Sequence, residues 1–211
     1  MARRPQAKFY LLSFFTFFVI ITFLQSGCER RFDIANKGAK AETIVCFGDS
    51  ITQGFGVKPE ESFPSLLGEQ LGQPVINAGV SGDTTAGALR RLERDVLSKK
   101  PKLVIVEFGG NDFLQRVPQD ETFANLDKIV TEIQDHGAMV VLATVKIGLL
   151  TDQYCRGFKR IAKKRKALLI PDIMRGIFDD PHLKYDGLHP NAEGHKIIAE
   201  RIYQLIYPLL E

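Results

Sequence analysis

Ser50 and His189 are the residues of this chain whose surroundings point most directly to covalent chemistry. Ser50 closes the stretch Ile44-Val45-Cys46-Phe47-Gly48-Asp49-Ser50, where an apolar run stops abruptly at a polar turn. A serine there either caps a helix or is presented as a nucleophile. The second reading needs a base to take the hydroxyl proton, a group that orients the base, and donors for a developing oxyanion. His189 supplies an imidazole that ordinarily titrates near neutral pH. Asp186 precedes it by three residues with Gly187 between them. A turn of that length can bring the carboxylate onto Nδ1 and leave Nε2 facing the serine. Donors are at hand in the Ser50 N–H, in the backbone at Gly82, where the chain can approach a substrate closely, and in the uncharged side-chain amide of Asn111. Asp49, Asp83 and Asp112 either brace their own turns through backbone N–H groups or compete with Asp186 as the orienting acid. Of the other histidines, His136 falls at a helix end, His182 in a loop and His195 on the surface of the last helix. Glu107 sits inside an apolar run, where a carboxylate needs partners that the sequence does not name.

The elements that must position these residues follow from hydrophobic periodicity. Short apolar runs predict strands at Thr43–Phe47, Pro74–Asn77, Leu103–Phe108, Ala138–Val145 and Ala167–Ile170. Helical spacing marks Phe63–Leu71, Thr84–Ser98, Phe123–His136, Gln153–Lys166 and Asn191–Tyr207. Near-continuous apolar strands alternating with helices argue for a parallel sheet covered on both faces. Right-handed crossovers make that a doubly wound, three-layer α/β/α fold, with five strands in the flavodoxin-like arrangement. Sites in such sheets lie beyond the carboxyl ends of the strands. The polar clusters here follow the strands: Gly48-Asp49-Ser50 after the first, Ser81-Gly82-Asp83-Thr84 after the second, Gly109-Gly110-Asn111-Asp112 after the third and Asp186 to Asn191 after the fifth. Phe47, Phe55, Phe108 and Phe113 flank them, mostly as core, with one or two available to wall an acyl pocket.

Gly48-Asp49-Ser50-Ile51, the Gly82 segment, Gly110-Asn111-Asp112 and Asp186-x-x-His189 resemble, in order, the four blocks of the SGNH hydrolase superfamily, the GDSL-type lipases and esterases. Within it, "NAGVSGDTTAGALRRL" and "VEFGGND" look like the second and third blocks of the thioesterase I/arylesterase/lysophospholipase L1 group. The resemblance spans Thr43 to the final helix. It implies Ser50 as nucleophile, Asp186 and His189 as the other triad members, and the Ser50 N–H, Gly82 and Asn111 as the oxyanion hole, with no metal and no cofactor. "KIGLLTDQY", between the fourth strand and fourth helix, does not match the longer substrate loop of that group. The Gly-x-Ser-x-Gly elbow of the α/β-hydrolases is absent.

Residues 1–27 read as an export signal or membrane anchor. Arg3, Arg4 and Lys8 precede sixteen uncharged residues, Phe9 to Leu24, and Ser26-Gly27-Cys28 follows. That ending resembles a bacterial lipobox, with Gln25 where the family has leucine, and makes Cys28 the lipidation candidate. Residues 28–41 are expected as a tether and 42–211 as the hydrolase domain. The whole chain carries 28 basic and 25 acidic residues; three basic residues and no acidic ones fall in the signal, leaving 25 of each. The basic balance is thus no argument for nucleic-acid binding. The run Lys163 to Lys166 reads as a solvated helix face. Three cysteines, Cys28, Cys46 and Cys155, make neither a disulfide framework nor a metal site.

The expected protein is a membrane-tethered esterase of the bacterial cell envelope, periplasmic or otherwise extracytoplasmic, cleaving acyl esters, thioesters or lysophospholipids. The alternatives are a carbohydrate O-deacetylase and a non-catalytic envelope binding module. The sequence leaves the oligomeric state open.

Overall fold

The computed structural model describes residues 33–146 and 152–210. The apolar N-terminal segment, Cys28, the start of the expected tether and residues 147–151 of the "KIGLLTDQY" loop lie outside them. In chain order the elements are β1 (Thr43–Gly48), α1 (Ser50–Gln53), α2 (Phe63–Leu71), β2 (Val75–Gly79), α3 (Thr85–Asp95), β3 (Pro101–Glu107), α4 (Gly110–Leu114), α5 (Gln119–Asp135), β4 (Met139–Ala143), α6 (Asp152–Arg165), β5 (Leu168–Ile170) and α7 (Ala192–Leu210).

The five strands form one parallel sheet in the order β2-β1-β3-β4-β5, the doubly wound arrangement expected from the alternation of elements. The central strands are buried on both faces, as Ile44 to Phe47 and Leu103 to Val106 show. Side chains alternate across each strand. Val45, Phe47, Val104, Val106, Val140 and Leu142 share one core with Leu92 of α3, Leu126 and Ile129 of α5 and Phe158 of α6. The opposite parity, with Ile44, Cys46, Leu103 and Ile105, is equally buried, and α2 and α7 pack together.

Several boundaries depart from the sequence reading for local reasons. The Thr84 hydroxyl accepts from Gly87 N–H and caps α3, which stops at Asp95; a 3-10 turn replaces its expected last turn. α5 begins at Gln119, directly after Pro118, whose ring favours the start of a helix over its interior. α7 continues through Pro208 to Leu210. Two short helices, α1 and α4, occupy stretches expected as plain polar turns.

Two further expectations are corrected. His195 is not on the surface: it is fully buried in α7, packed against Phe63 with ring centroids 6.2 Å apart. It lies three, four and seven residues before Ile198, Ala199 and Ile202, the buried stripe of that helix. The described part of the expected tether is also docked rather than loose. Ile34 is buried, Ala35 N–H donates to Lys166 O, and the Asn36 amide donates to Gln134 O and Ala138 O. These contacts lie at the amino ends of β4 and β5, opposite the edge that carries the polar clusters.

Candidate active site

Each functional segment begins where a strand ends. Gly79, Gly48, Glu107 and Ala143 lie in register across β2, β1, β3 and β4, in the last row of the sheet. Gly48 is required by crowding there: a Cβ on it would sit 2.0 Å from Thr52 Oγ1 and 2.7 Å from the Glu107 carbonyl oxygen. Immediately afterwards Asp49 turns its carboxylate onto Ile51 N–H at 3.0 Å and caps α1. Ser50 is therefore the first helical residue, where backbone N–H groups have no partner within the helix. The cap is Asp49, not Ser50, which leaves the serine hydroxyl free for other work.

The Ser50 hydroxyl lies 2.9 Å from His189 Nε2, and His189 Nδ1 lies 2.8 Å from Asp186 Oδ2. The other Asp186 oxygen accepts from Leu188 N–H at 2.7 Å and His189 N–H at 2.8 Å. The tight turn foreseen from the Asp-x-x-His spacing is thus formed by the carboxylate itself. Tyr185 N–H to His189 O and a bridge between Lys184 and Pro190 close this turn at its base, and Asn191, capping α7 through Gly194 N–H, joins it to that helix. Slight burial alone would raise the Asp186 carboxyl, but the two backbone donors and the His189 ring outweigh it and bring it to about 2. An ionised carboxylate only accepts, so Nδ1 carries the imidazole proton and Nε2 faces the serine as a base. The rival acids make other contacts. Asp83 binds Thr84 N–H and Arg91, and Asp112 binds Thr85 through its N–H and hydroxyl.

The loop after β2 turns at Gly82, which has φ +77°. No atom lies within 4 Å of where its Cβ would be, so the left-handed backbone, rather than crowding, selects glycine. Arg91, nearly buried in α3, ties this loop to the sheet. Its guanidinium donates to Asp83 Oδ2 at 2.7 Å, Ala78 O at 2.8 Å and Gly48 O at 3.0 Å, and stacks 4.4 Å from the Phe47 ring centroid. Asn111, in the first turn of α4, directs its amide nitrogen to Asp49 Oδ2 and Asp83 O, each at 3.0 Å. All three expected oxyanion residues, Ser50, Gly82 and Asn111, line one cleft of about 250 Å³ together with His189.

Its apolar walls come from Phe55, Leu114, Val145 and Leu188. Of the four flanking phenylalanines only Phe55 is a wall; its ring sits 4.7 Å from the His189 ring. Phe47 and Phe108 are core, and Phe113 packs edge-on to Tyr154. The sequence reading did not identify Leu114, Val145, Leu188 or Arg91, since such residues look the same in a core or on a helix face. Among the described residues no cluster has the makeup of a metal site, and no helix is long and apolar enough to cross a membrane. Cys46 is buried and its thiol is pushed up by desolvation; Cys155 is a free, half-buried thiol.

The GDSL-like lipase/acylhydrolase family matches residues 46–197. An arylesterase of Vibrio mimicus is 33% identical over 175 residues, covering 78% of this chain and 88% of that protein. Thioesterase 1/protease 1/lysophospholipase L1 of Escherichia coli K12 is 27% identical over 204 residues, covering 93% and 92%. Among solved structures, that of TesA superposes with a TM-score of 0.75 at 28% identity, covering 80% of this chain and 99% of its own.

Proposed function

The chain belongs to the GDSL-like lipase/acylhydrolase family and is a serine hydrolase acting on ester bonds, and from that premise we propose that Ser50, His189 and Asp186 perform the hydrolysis through an acyl-enzyme. The carrying observation is the continuous relay from Ser50 Oγ through His189 to Asp186, at 2.9 and 2.8 Å. Nε2 takes the hydroxyl proton as Oγ attacks the carbonyl carbon. The tetrahedral oxyanion lies against the Ser50 and Gly82 N–H groups and the Asn111 amide. The imidazolium then gives its proton to the departing alkoxide or thiolate. Water, deprotonated by the same nitrogen, attacks the acyl-serine and releases the acid.

Asn111 favours the transition state for a specific reason. Both of its amide protons already have acceptors, the Asp49 carboxylate and the Asp83 carbonyl. A neutral ester carbonyl gains little by competing with another neutral carbonyl. An oxyanion, whose hydrogen bonds are charge-assisted, competes well. The contact therefore strengthens as charge develops, which is the condition for raising kcat.

The substrate reading is an acyl ester or thioester, lysophospholipids included, with its acyl chain along Phe55, Leu114 and Leu188. We also assign residues 1–27 as the export signal and Cys28 as the point of lipid attachment that holds the domain at the cell envelope. Hydrolysis of p-nitrophenyl esters of increasing chain length, set beside acetylated xylan, tests the substrate class. Activity that persists or rises from acetyl through hexanoyl and octanoyl supports the reading. Cleavage confined to acetyl groups on the glycan would make the protein an O-deacetylase, and inactivity on every substrate would make it a binding module.

A further inference from the structure

Glu107 ends β3 with a carboxyl group that the reaction above does not use. It is 1% exposed, and among the described residues no cation forms an ion pair with it. Its Oε2 accepts from the Thr52 hydroxyl at 2.9 Å and from Asp49 N–H at 3.4 Å. The Asp49 N–H contact sets the Glu107 and Asp49 carboxyls side by side, close enough for each to bear on the other's protonation. Asp49 in turn accepts from Ile51 N–H at one oxygen and from the Asn111 amide at the other.

Two carboxyls this close and this buried hold one proton between them. Both Asp49 oxygens already serve as acceptors, so the proton belongs to Glu107. Two adjacent buried carboxylates without a cation do not both ionise. Burial first, and the charge of Asp49 second, hold the Glu107 proton well above the usual glutamate range. The Asp49 carboxylate is one of the two acceptors that orient the Asn111 amide, the Asp83 carbonyl being the other. An ionised Asp49 faces the amide nitrogen. A protonated Asp49 would offer a hydroxyl that competes for the Asn111 oxygen and would leave the Asp83 carbonyl as the acceptor that still holds the amide nitrogen.

We propose that Glu107 is a positioning residue, a neutral acid that fixes the Asp49 carboxylate and through it holds the Asn111 amide nitrogen toward the cleft. The inference rests on Asn111 as an oxyanion donor, and the test keeps the two apart. The variants are Glu107→Gln, Glu107→Leu, Asn111→Ala and the Glu107→Leu/Asn111→Ala double, assayed for kcat and KM on a short p-nitrophenyl ester with a melting curve for each. Glutamine keeps both a donor toward Asp49 and an acceptor for Thr52, so Glu107→Gln stays within about threefold of wild-type kcat. Asn111→Ala loses roughly 10²–10³ in kcat. Glu107→Leu loses at least about 30-fold in kcat, with KM nearly unchanged.

The double variant is no slower than Asn111→Ala alone, because residues that act through one another are not additive. Losses that multiply in the double variant, a wild-type kcat in Glu107→Leu, or a folded Glu107→Gln slowed as much as Glu107→Leu would each overturn the proposal. If Glu107→Leu does not fold, Thr52→Val, which removes the donor to Glu107 with little change of shape, takes its place in the cycle with the same expected non-additivity. A wild-type kcat in Asn111→Ala removes the oxyanion assignment itself and the inference with it.

Discussion

His195 makes the stability of this domain depend on pH in a way that one substitution should remove. Its Nδ1 accepts from Phe63 N–H at 3.2 Å, and its Nε2 is buried without a partner. Burial first, then the nearby His189, lower its pKa from 6.5 to about 4. The folded state thus favours neutral imidazole, while the unfolded chain binds a proton once pH drops below 6.5. The resulting stability is complete above pH 6.5 and is lost as pH falls toward 4. The full shift corresponds to about 3 kcal/mol, of which about 2 kcal/mol is lost by pH 5. In a domain of this size that is a fall in Tm of roughly 4–8 °C. Asp49 and Glu107 act in the opposite sense, since burial raises both and folding then binds protons as pH falls. The informative quantity is therefore the difference between wild type and His195→Asn, whose carbonyl oxygen can still accept from Phe63 N–H but does not titrate. Melting curves from pH 8 to pH 5 should show the wild type losing about 2 kcal/mol more than the variant. Parallel curves for the two proteins would refute the reasoning.

Other substitutions separate scaffold from chemistry. Arg91→Met should cost about 3–5 kcal/mol in urea unfolding, because it removes the cation paired with the nearly buried Asp83 carboxylate and a donor to the Ala78 and Gly48 carbonyls; a change under about 1 kcal/mol would contradict the contacts described. Asp186→Asn keeps the acceptor for Leu188 and His189 N–H but presents an amide to Nδ1, reversing the tautomer. Its kcat should fall by about 10⁴ while its Tm stays close to wild type, and a loss below about tenfold would show that Asp186 does not orient the base. Cys28→Ser should abolish incorporation of a fatty-acid analogue during growth; persistent label, or an intact N-terminus on the mature protein, would show that Cys28 is not the attachment point.

The parts of the molecule legible in the sequence were those whose physical cause is local. Phe63–Leu71 is legible to the residue because its apolar spacing is helical and stops at Gly72, whose φ is +65°. The Asp186–His189 turn was legible because it closes within four residues. α1 and α4 were not, being four and five residues long, too short to show a period. The partners of Glu107 were hidden because they depend on the register that sets it beside Gly48, on a strand far away in the chain. His195 is buried against expectation although its spacing from Ile198 and Ile202 places it on the apolar stripe of α7; a polar residue type alone does not decide which face of a helix a side chain takes.

The central claim, that Ser50 is the nucleophile, is tested most directly by covalent labelling. A fluorophosphonate should react with the wild-type protein, and mass spectrometry of the digested adduct should place the phosphonyl group on Ser50. The Ser50→Ala protein should melt normally, remain unlabelled and hydrolyse no ester. Label on another serine, or ester hydrolysis surviving in Ser50→Ala, would contradict the account.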